Sequence, residues 1–380
     1  MDTPFVYNKY VTGNEFISRQ SELTLLTNMV RLKQHVLIYE PPKSGKKSLV
    51  QQGLIQLRKE GHDFTVCNIN LFNVRTKKQL LQKYVNALLG TFSNTPAESL
   101  QMQKEMLPDM EKYFGNVPEM KKSLDMSNPE TDTRHIPAAM TRQILNLPEL
   151  LAKRFNTNTI IYIEEFQELL LQDNPHGILA EMESALKEHQ QTTYIITGSM
   201  VNSMKEIFEE KRYFYNFAER IKLGPLDSKS LAEFYHKSFM KTGRVVSREL
   251  STAMYNLTDG HPWYAQQLGD ISYGLTRGYL TEQVLKQSFL SLLELHSYRY
   301  QLITSRLSRF QINFLKAIMD NVEQLSAAET MSYYGFNSSA NVKRLKDAVK
   351  RKEILTEENG QWVFLDPLFK TWLKEVYFEL

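Results

Sequence analysis

The segment Glu40-Pro41-Pro42-Lys43-Ser44-Gly45-Lys46-Lys47-Ser48 follows the apolar run His35-Val36-Leu37-Ile38-Tyr39 and opens a stretch with helical periodicity. A phosphate-binding loop of the form G-x-x-x-x-G-K-[ST] occupies that strand–loop–helix context. Its backbone N–H groups and the helix N-terminus present positive partial charge to phosphate oxygens. Its lysine reaches the β- and γ-phosphates, and its hydroxyl ligates Mg²⁺. Gly45 and Lys46 fit the pattern. Glu40 stands where the first glycine is expected, and Lys47 where the metal-ligating hydroxyl is expected. Taken alone, the segment reads equally as a strand–helix loop with exposed lysines.

A second cluster shifts that balance. The run Thr159-Ile160-Ile161-Tyr162-Ile163 delivers two carboxylates, Glu164 and Glu165, at its C-terminal end. Ligands of parallel sheets bind beyond the carboxyl ends of the strands. Glu164 is placed to hold Mg²⁺ directly or through water, and Glu165 to polarise an attacking water as general base. Ser199, after Thr197-Gly198 at the end of another apolar run, offers a hydroxyl to sense a γ-phosphate. Arg212 and Arg220 flank Phe214-Tyr215-Asn216-Phe217, and each is a candidate arginine finger for the charge on a transferring phosphoryl group. Histidine chemistry is disfavoured, because none of the eight histidines has an H-x-x-x-H partner.

The elements that must carry these residues alternate strand and helix through about residue 225. The short apolar runs at 35–39, 64–69, 159–163 and 193–197 suit a parallel sheet buried on both faces, with a last strand at 221–223. Residues 94–140, rich in proline and polar residues, read as an insertion with short helices between the second and third strands. After Pro225 the pattern is helical to about residue 302. Helices at 308–319, 326–333 and 338–352 follow, and then a hairpin turning at Glu358-Asn359-Gly360, the order of a winged helix-turn-helix. The domains expected are therefore 1–224, 225–302 and 303–380.

Composition agrees with a globular chain. The 380 residues carry 46 Lys and Arg against 43 Asp and Glu, so overall basicity of the nucleic-acid-binding kind is excluded, although a local patch is not. The single cysteine, Cys67, rules out an internal disulfide and favours a reducing compartment. The start shows no signal-peptide pattern and no run approaches a membrane span, so a cytoplasmic location is expected.

Together these motifs resemble the archaeal-type ATPase family, a STAND-like branch of the AAA+ ATPases found also in bacteria. Phe16-Ile17-Ser18-Arg19-Gln20-Ser21-Glu22-Leu23 resembles its F-x-G-R-E-x-E-L box, with Ser18 for glycine and Gln20 for glutamate. Glu40 through Leu49 is similar to its [GA]-P-R-R-x-G-K-T-S-L loop, with Pro41, Lys43, Gly45, Lys46, Ser48 and Leu49 fitting. Glu164-Glu165-Phe166-Gln167 resembles its D-E-F-Q strand end, and Gly198-Ser199 its G-S. Gly260-His261-Pro262 looks like its G-H-P, and Asp366-Pro367-Leu368-Phe369-Lys370-Thr371-Trp372-Leu373 its D-P-x-F-x-x-W-L. The resemblance spans nearly the whole chain.

It implies an AAA+ P-loop core with a parallel sheet and flanking helices, then an all-helical lid and a winged helix-turn-helix. It also implies ATP or ADP as ligand, with Arg19 beside the nucleotide, Pro41 through Leu49 (Ser44 and Lys47 included) around the phosphates, and Pro262 near the adenine. Mg²⁺ has Glu164 as its expected ligand. Lys47 cannot replace the missing hydroxyl, and Ser48 takes that role only if the helix start shifts by one residue. The expectation is an ATP-dependent switch with weak or impaired hydrolysis. The alternative is a non-hydrolysing DNA-binding or protein-interaction module with a relic loop. The helix at 338–352 carries Lys343, Arg344, Lys346, Lys350, Arg351 and Lys352, which suits DNA phosphates, but acids nearly balance bases across 304–380. A protein partner or self-association through the core and winged helix is placed ahead of DNA.

Overall fold

The computed structural model describes residues 3–114, 136–210 and 213–379. The chain forms two compact units, each discontinuous in sequence. One comprises Ser21–Glu40 and Gly53–Lys222. The other comprises Met1–Gln20, Pro41–Gln52 and Leu223–Leu380.

The first unit is built on a parallel five-stranded sheet. Strands β1 (Val36–Tyr39), β2 (Thr65–Asn70), β3 (Thr159–Glu164), β4 (Thr192–Gly198) and β5 (Glu219–Arg220) lie in the order β2-β3-β4-β1-β5. The register pairs Val36 with Ile195 and Cys67 with Ile161. β1 and β4 are buried at every position, as apolar strands covered on both faces must be. β2, an edge strand, alternates toward solvent at Asn68 and Asn70. The last strand differs from expectation by two residues. Glu219 and Arg220 pair with Val36 and Leu37, and Ile221 closes the ladder by donating to the Leu37 carbonyl.

Helices α1 (Gln20–Arg31), α2 (Lys46–Lys59), α3 (Lys77–Phe92), α4 (Pro96–Met106), α5 (Glu111–Phe114), α6 (Ala138–Leu145), α7 (Leu147–Arg154), α8 (Pro175–Leu186) and α9 (Val201–Phe208) alternate with the strands. α3 begins with a capping box, Thr76 and Gln79 each satisfying the other's backbone N–H. α4 and α5 fall in the stretch expected to be an insertion with short helices. Its residues 115–135 lie outside the described residues, as does Arg212.

The second unit is mainly helical. Helices α10 (Ser228–Met240), α11 (Arg248–Thr258), α12 (Pro262–Leu275) and α13 (Glu282–Ser305) lead into α14 (Arg309–Met319), α15 (Ala328–Tyr334) and α16 (Ser339–Arg351). The hairpin β6 (Leu355–Glu358) and β7 (Gln361–Phe364) and the short helix α17 (Pro367–Trp372) complete it. One apolar cluster runs from Leu231 and Tyr235 through Leu292 and Tyr300 to Phe314, Leu368 and Trp372. The N-terminal segment belongs to this cluster. Phe5 is buried and meets the rings of Phe234, Tyr235, Phe239 and Tyr273 at 5.8–6.1 Å.

Candidate functional site

β1 delivers the chain into the loop Glu40–Gly45, and α2 begins at Lys46. Gly45 has φ +94°, a conformation that side chains with a Cβ rarely adopt, and this turn aims the loop into the helix start. The first turn of α2 closes with Leu49 N–H donating to the Gly45 carbonyl at 3.0 Å. Leu49 itself is fully buried. Lys46 Nζ folds back to the Pro41 carbonyl at 2.8 Å. Lys43, also left-handed at φ +65°, sets its ammonium 5.6 Å from the centre of the Trp263 ring. Ser44 is buried and its hydroxyl has no partner. A buried, unsatisfied hydroxyl in a loop of this type fits an anion's oxygen.

Arg19 closes the loop from the N-terminal segment. It is buried, and its guanidinium donates to the Gly224 carbonyl at 2.6 Å and the Ser44 carbonyl at 3.5 Å. Ser18 and Arg19 are both left-handed, at φ +61° and +69°. That geometry accounts for glycine in the corresponding position of the resembling box. Ser18 tolerates it while its Oγ accepts from Asp227 N–H at 3.0 Å. Pro262 opens α12 in the first turn, where its missing N–H leaves nothing unsatisfied.

The metal-binding expectation fits less well. Lys47 lies with its Nζ 6.0 Å from the centre of the Tyr10 ring, and Ser48 Oγ accepts from Val11 N–H at 3.1 Å. Ser48 is thus an anchor for the N-terminal segment, and the helix start is not shifted toward it. Among the described residues no group of three or more His, Cys, Asp or Glu is arranged to hold a metal.

The carboxylate cluster of the sheet unit is organised separately. Glu164 ends β3 and its Oε1 accepts from Asn68 Nδ2 on the neighbouring strand at 3.0 Å. Glu165 is left-handed, at φ 58° and ψ 48°, a strained conformation for a residue with a Cβ. Its Oε2 accepts from Gln167 Nε2 at 2.6 Å and from the Ser199 hydroxyl. Gln167 Oε1 in turn accepts from Ser199 N–H at 3.3 Å. Gly198 leaves room for this amide, since a Cβ there would stand 2.7 Å from Gln167 Oε1. Glu165 and Ser199, two expected site residues, are therefore joined directly, with buried Gln167 as the third member. Asn68 and Gln167 were not singled out from the sequence as site residues. Asn68 is signalled by its polarity within an apolar strand.

Arg220 is placed otherwise than a free arginine finger. Its guanidinium stacks on Tyr39, 3.7 Å from the ring centre, donates to Glu209 at 3.0 Å and pairs with Glu40 at 3.5 Å. The Tyr39 hydroxyl donates to Glu209, and burial together with that carboxylate pushes the phenol's pKa up. Glu40, which replaces the first loop glycine, is thus buried and turned to a cation.

In the C-terminal module the basic helix α16 exposes Lys343, Arg344 and Arg351, and Lys352, its C-cap, is exposed as well. Lys346 and Lys350 instead lie over Trp362 of the hairpin, at 5.8 and 5.2 Å, and Lys350 pairs with Glu357. Asp366 caps α17 by accepting from Leu368 and Phe369 N–H. It also accepts from Arg299 at 2.8 Å and from the Tyr264 hydroxyl. No helix among the described residues is long and apolar enough to cross a membrane.

Residues 298–375 match the family described as a probable winged helix domain. The chain is similar in structure to a Walker-type ATPase of Pyrococcus abyssi, with TM-score 0.64, 17% identity, and 97% of this chain and 98% of that one covered. It is similar also to the ORC2 protein of Aeropyrum pernix, solved as ADPNP–ADP complexes, with TM-score 0.55, 13% identity and coverage of 94% and 93%. No curated protein sequence matches the chain. At these identities the likeness shows the fold alone, a five-stranded parallel α/β core followed by a helical region and a C-terminal winged helix.

Proposed function

We propose that this chain is an ATP-binding, STAND-like AAA+ protein of the archaeal-type ATPase family, working as a nucleotide-dependent switch with weak hydrolysis. The phosphate loop carries the proposal. Gly45 in the left-handed region, Lys46 at the helix start and the orphan Ser44 hydroxyl make a backbone cradle for a polyphosphate. In this reading Lys46 binds the β- and γ-phosphates, Lys43, Lys47 and Arg19 add positive potential, and Pro262 packs by the adenine. Glu165, held by Ser199 and Gln167, serves as general base, and Glu164 is the protein ligand for Mg²⁺, which supplies charge neutralisation when bound. Weak hydrolysis follows from the loop's departures, a lysine where the hydroxyl belongs and Ser48 tied to Val11.

The working division is a nucleotide-binding core at 1–224, a lid at 225–302 and a winged helix at 303–380. The last is read as reporting the nucleotide state to a protein partner or a second copy. Duplex DNA ranks behind, because two of the lysines of α16 are turned onto Trp362. The test is a melting experiment with ATP, ADP and Mg²⁺ added separately. ATP at 100-fold its dissociation constant is expected to stabilise by about 2.7 kcal/mol. Lys46→Ala should abolish that gain, and an unchanged gain overturns the reading. Glu165→Gln should remove phosphate release while leaving the melting shift in place.

A further inference from the structure

Trp263, in the first turn of α12, lies under two cations from separate stretches of the same unit. Lys43, exposed on the loop before α2, sets its Nζ 5.6 Å from the ring centre. The guanidinium of Arg299, on α13, stands 5.7 Å from that centre. The indole itself is fixed. Its Nε1–H donates to the Tyr7 carbonyl at 3.2 Å, and its ring meets those of Tyr264 and His296 at 5.3 and 5.0 Å. Both cations lie within 6 Å of one ring centre, so they stand at most about one screening length apart in 0.1 M salt. The ring attracts each of them, and they repel one another.

Arg299 is also the residue that holds the end of the winged helix. It donates to Asp366 Oδ2 at 2.8 Å and to the hydroxyls of Tyr264 and Tyr300 at 2.6 and 3.0 Å. The Tyr264 hydroxyl bonds Asp366 in turn. Asp366 Oδ1 caps α17 by accepting from Leu368 and Phe369 N–H, each at 3.1 Å. Trp372 of α17 adds its Nε1–H to Ser297 Oγ of α13 at 3.1 Å. A single charge pair within a polar network thus docks α17 on α12 and α13. One indole separates that pair from the lysine of the loop.

We propose that Trp263 couples the phosphate loop to the winged helix, with Lys43 exchanging the indole for a nucleotide phosphate and Arg299 passing the change to Asp366. The inference rests on the nucleotide reading of the loop. In the free protein Lys43 occupies the ring and opposes Arg299. A polyphosphate offers this lysine a better partner, since charge-assisted bonds to phosphate outweigh an exposed cation–π contact. With Lys43 neutralised, Arg299 keeps the indole to itself and its hold on Asp366 tightens. The coupling is reciprocal. Whatever the nucleotide adds to the Arg299–Asp366 pair, that pair adds to nucleotide affinity. Its size is that of one exposed cation–π contact, about two- to fivefold. The two states differ in the partner of one exposed lysine.

The test is a double-mutant cycle on ATP and ADP affinity, measured by calorimetric titration of the full chain with Lys43→Gln, Asp366→Asn and the two combined. Asparagine still caps α17 and carries no charge for Arg299. Asp366→Asn alone should weaken nucleotide binding about two- to fivefold. In the Lys43→Gln background the same substitution should leave affinity nearly unchanged, and Trp263→Leu should erase its effect likewise. Equal effects of Asp366→Asn with and without Lys43 overturn the proposal and leave the nucleotide reading standing. No binding of either nucleotide by wild type overturns both. Where a variant melts early or binds too weakly to titrate, amide exchange of the wild type replaces the cycle. Saturating ATP should slow Leu368 and Phe369 N–H about two- to fivefold more than the amides of β6 and β7. An equal or smaller slowing at those two positions overturns the proposal.

Discussion

The loop Glu40–Gly45 and the carboxylate edge of the sheet depart from the resembling pattern in different ways. At the edge, glutamate replaces aspartate at 164, and the cluster is internally satisfied. Glu165, Gln167 and Ser199 bond one another, and Glu164 bonds Asn68. The loop keeps its backbone turn but leaves the Ser44 hydroxyl without a partner. A satisfied cluster holds its geometry without a ligand, whereas orphaned buried groups are stabilised when a ligand arrives. The loop is therefore where binding should show as added stability, and the edge is where a substitution should alter turnover.

The strongest way to break this comparison is to remove the anchor of the N-terminal segment. Phe5→Ala deletes a buried ring from the cluster of α10 and α12 and should cost about 3–5 kcal/mol in a melting experiment. Ser48 and Arg19 then lose the segment that presents Val11 and the left-handed turn, so ATP should stabilise the variant less than wild type. Retention of the full ATP shift would separate the loop's binding from this segment.

Arg220→Ala comes next. It leaves Glu40 buried beside Tyr39 without its guanidinium, for an expected loss of about 2–3 kcal/mol. A clamp predicts that loss in stability with turnover per folded molecule nearly unchanged. A finger predicts normal melting and lost phosphate release. The two outcomes are opposite.

Acid sharpens the comparison from the sheet side. Burial lowers the pKa values of His35 and His189 to about 4, and the positive charge of His189 adds to the effect on His35. Their folded values lie below the unfolded value, so this stability is complete above about pH 6.5 and is lost as pH falls toward 4. Each should remove up to about 2 kcal/mol by pH 5. His189→Gln, whose partners Tyr194 and Asn146 can still bond an amide, should flatten the acid side of the melting profile. An unchanged profile would show that His189 titrates normally in the fold.

Much of this was legible in residue order. Apolar runs gave strands because parallel strands covered on both faces need no polar alternation, and β1, β3 and β4 obey this. The edge was harder: β5 is two residues long and lies at Glu219–Arg220, because pairing to β1 outweighs the apolar appeal of residues 221–223. The loop and the carboxylate pair were readable because their chemistry requires short sequence spacings. Gln167 joining Ser199 and Arg220 clamping Glu40 were not, since each bridges distant segments through geometry that no local pattern encodes. Glu40, which stands where the first loop glycine is expected, is buried against Arg220.

The smallest expected effect addresses the loop's own departure. Lys47→Thr restores a hydroxyl at the first turn of α2 and removes an ammonium lying over Tyr10. The lost cation–π contact is worth about 0.5–1 kcal/mol, so melting without ligand should fall only slightly. ATP affinity measured without Mg²⁺ should weaken as well, because one positive charge leaves the phosphate site. Phosphate release with Mg²⁺ should move the other way and rise about tenfold, equivalent to about 1.4 kcal/mol in the barrier. Ser48 lies one residue beyond the position where the hydroxyl is expected, and one lone pair of its oxygen already accepts from Val11 N–H. If release stays flat while Mg²⁺-dependent affinity improves, the hydroxyl binds metal without limiting hydrolysis, and the limit lies with Glu165 and its two partners at the sheet edge. If neither changes, Lys47 is not what sets the loop apart.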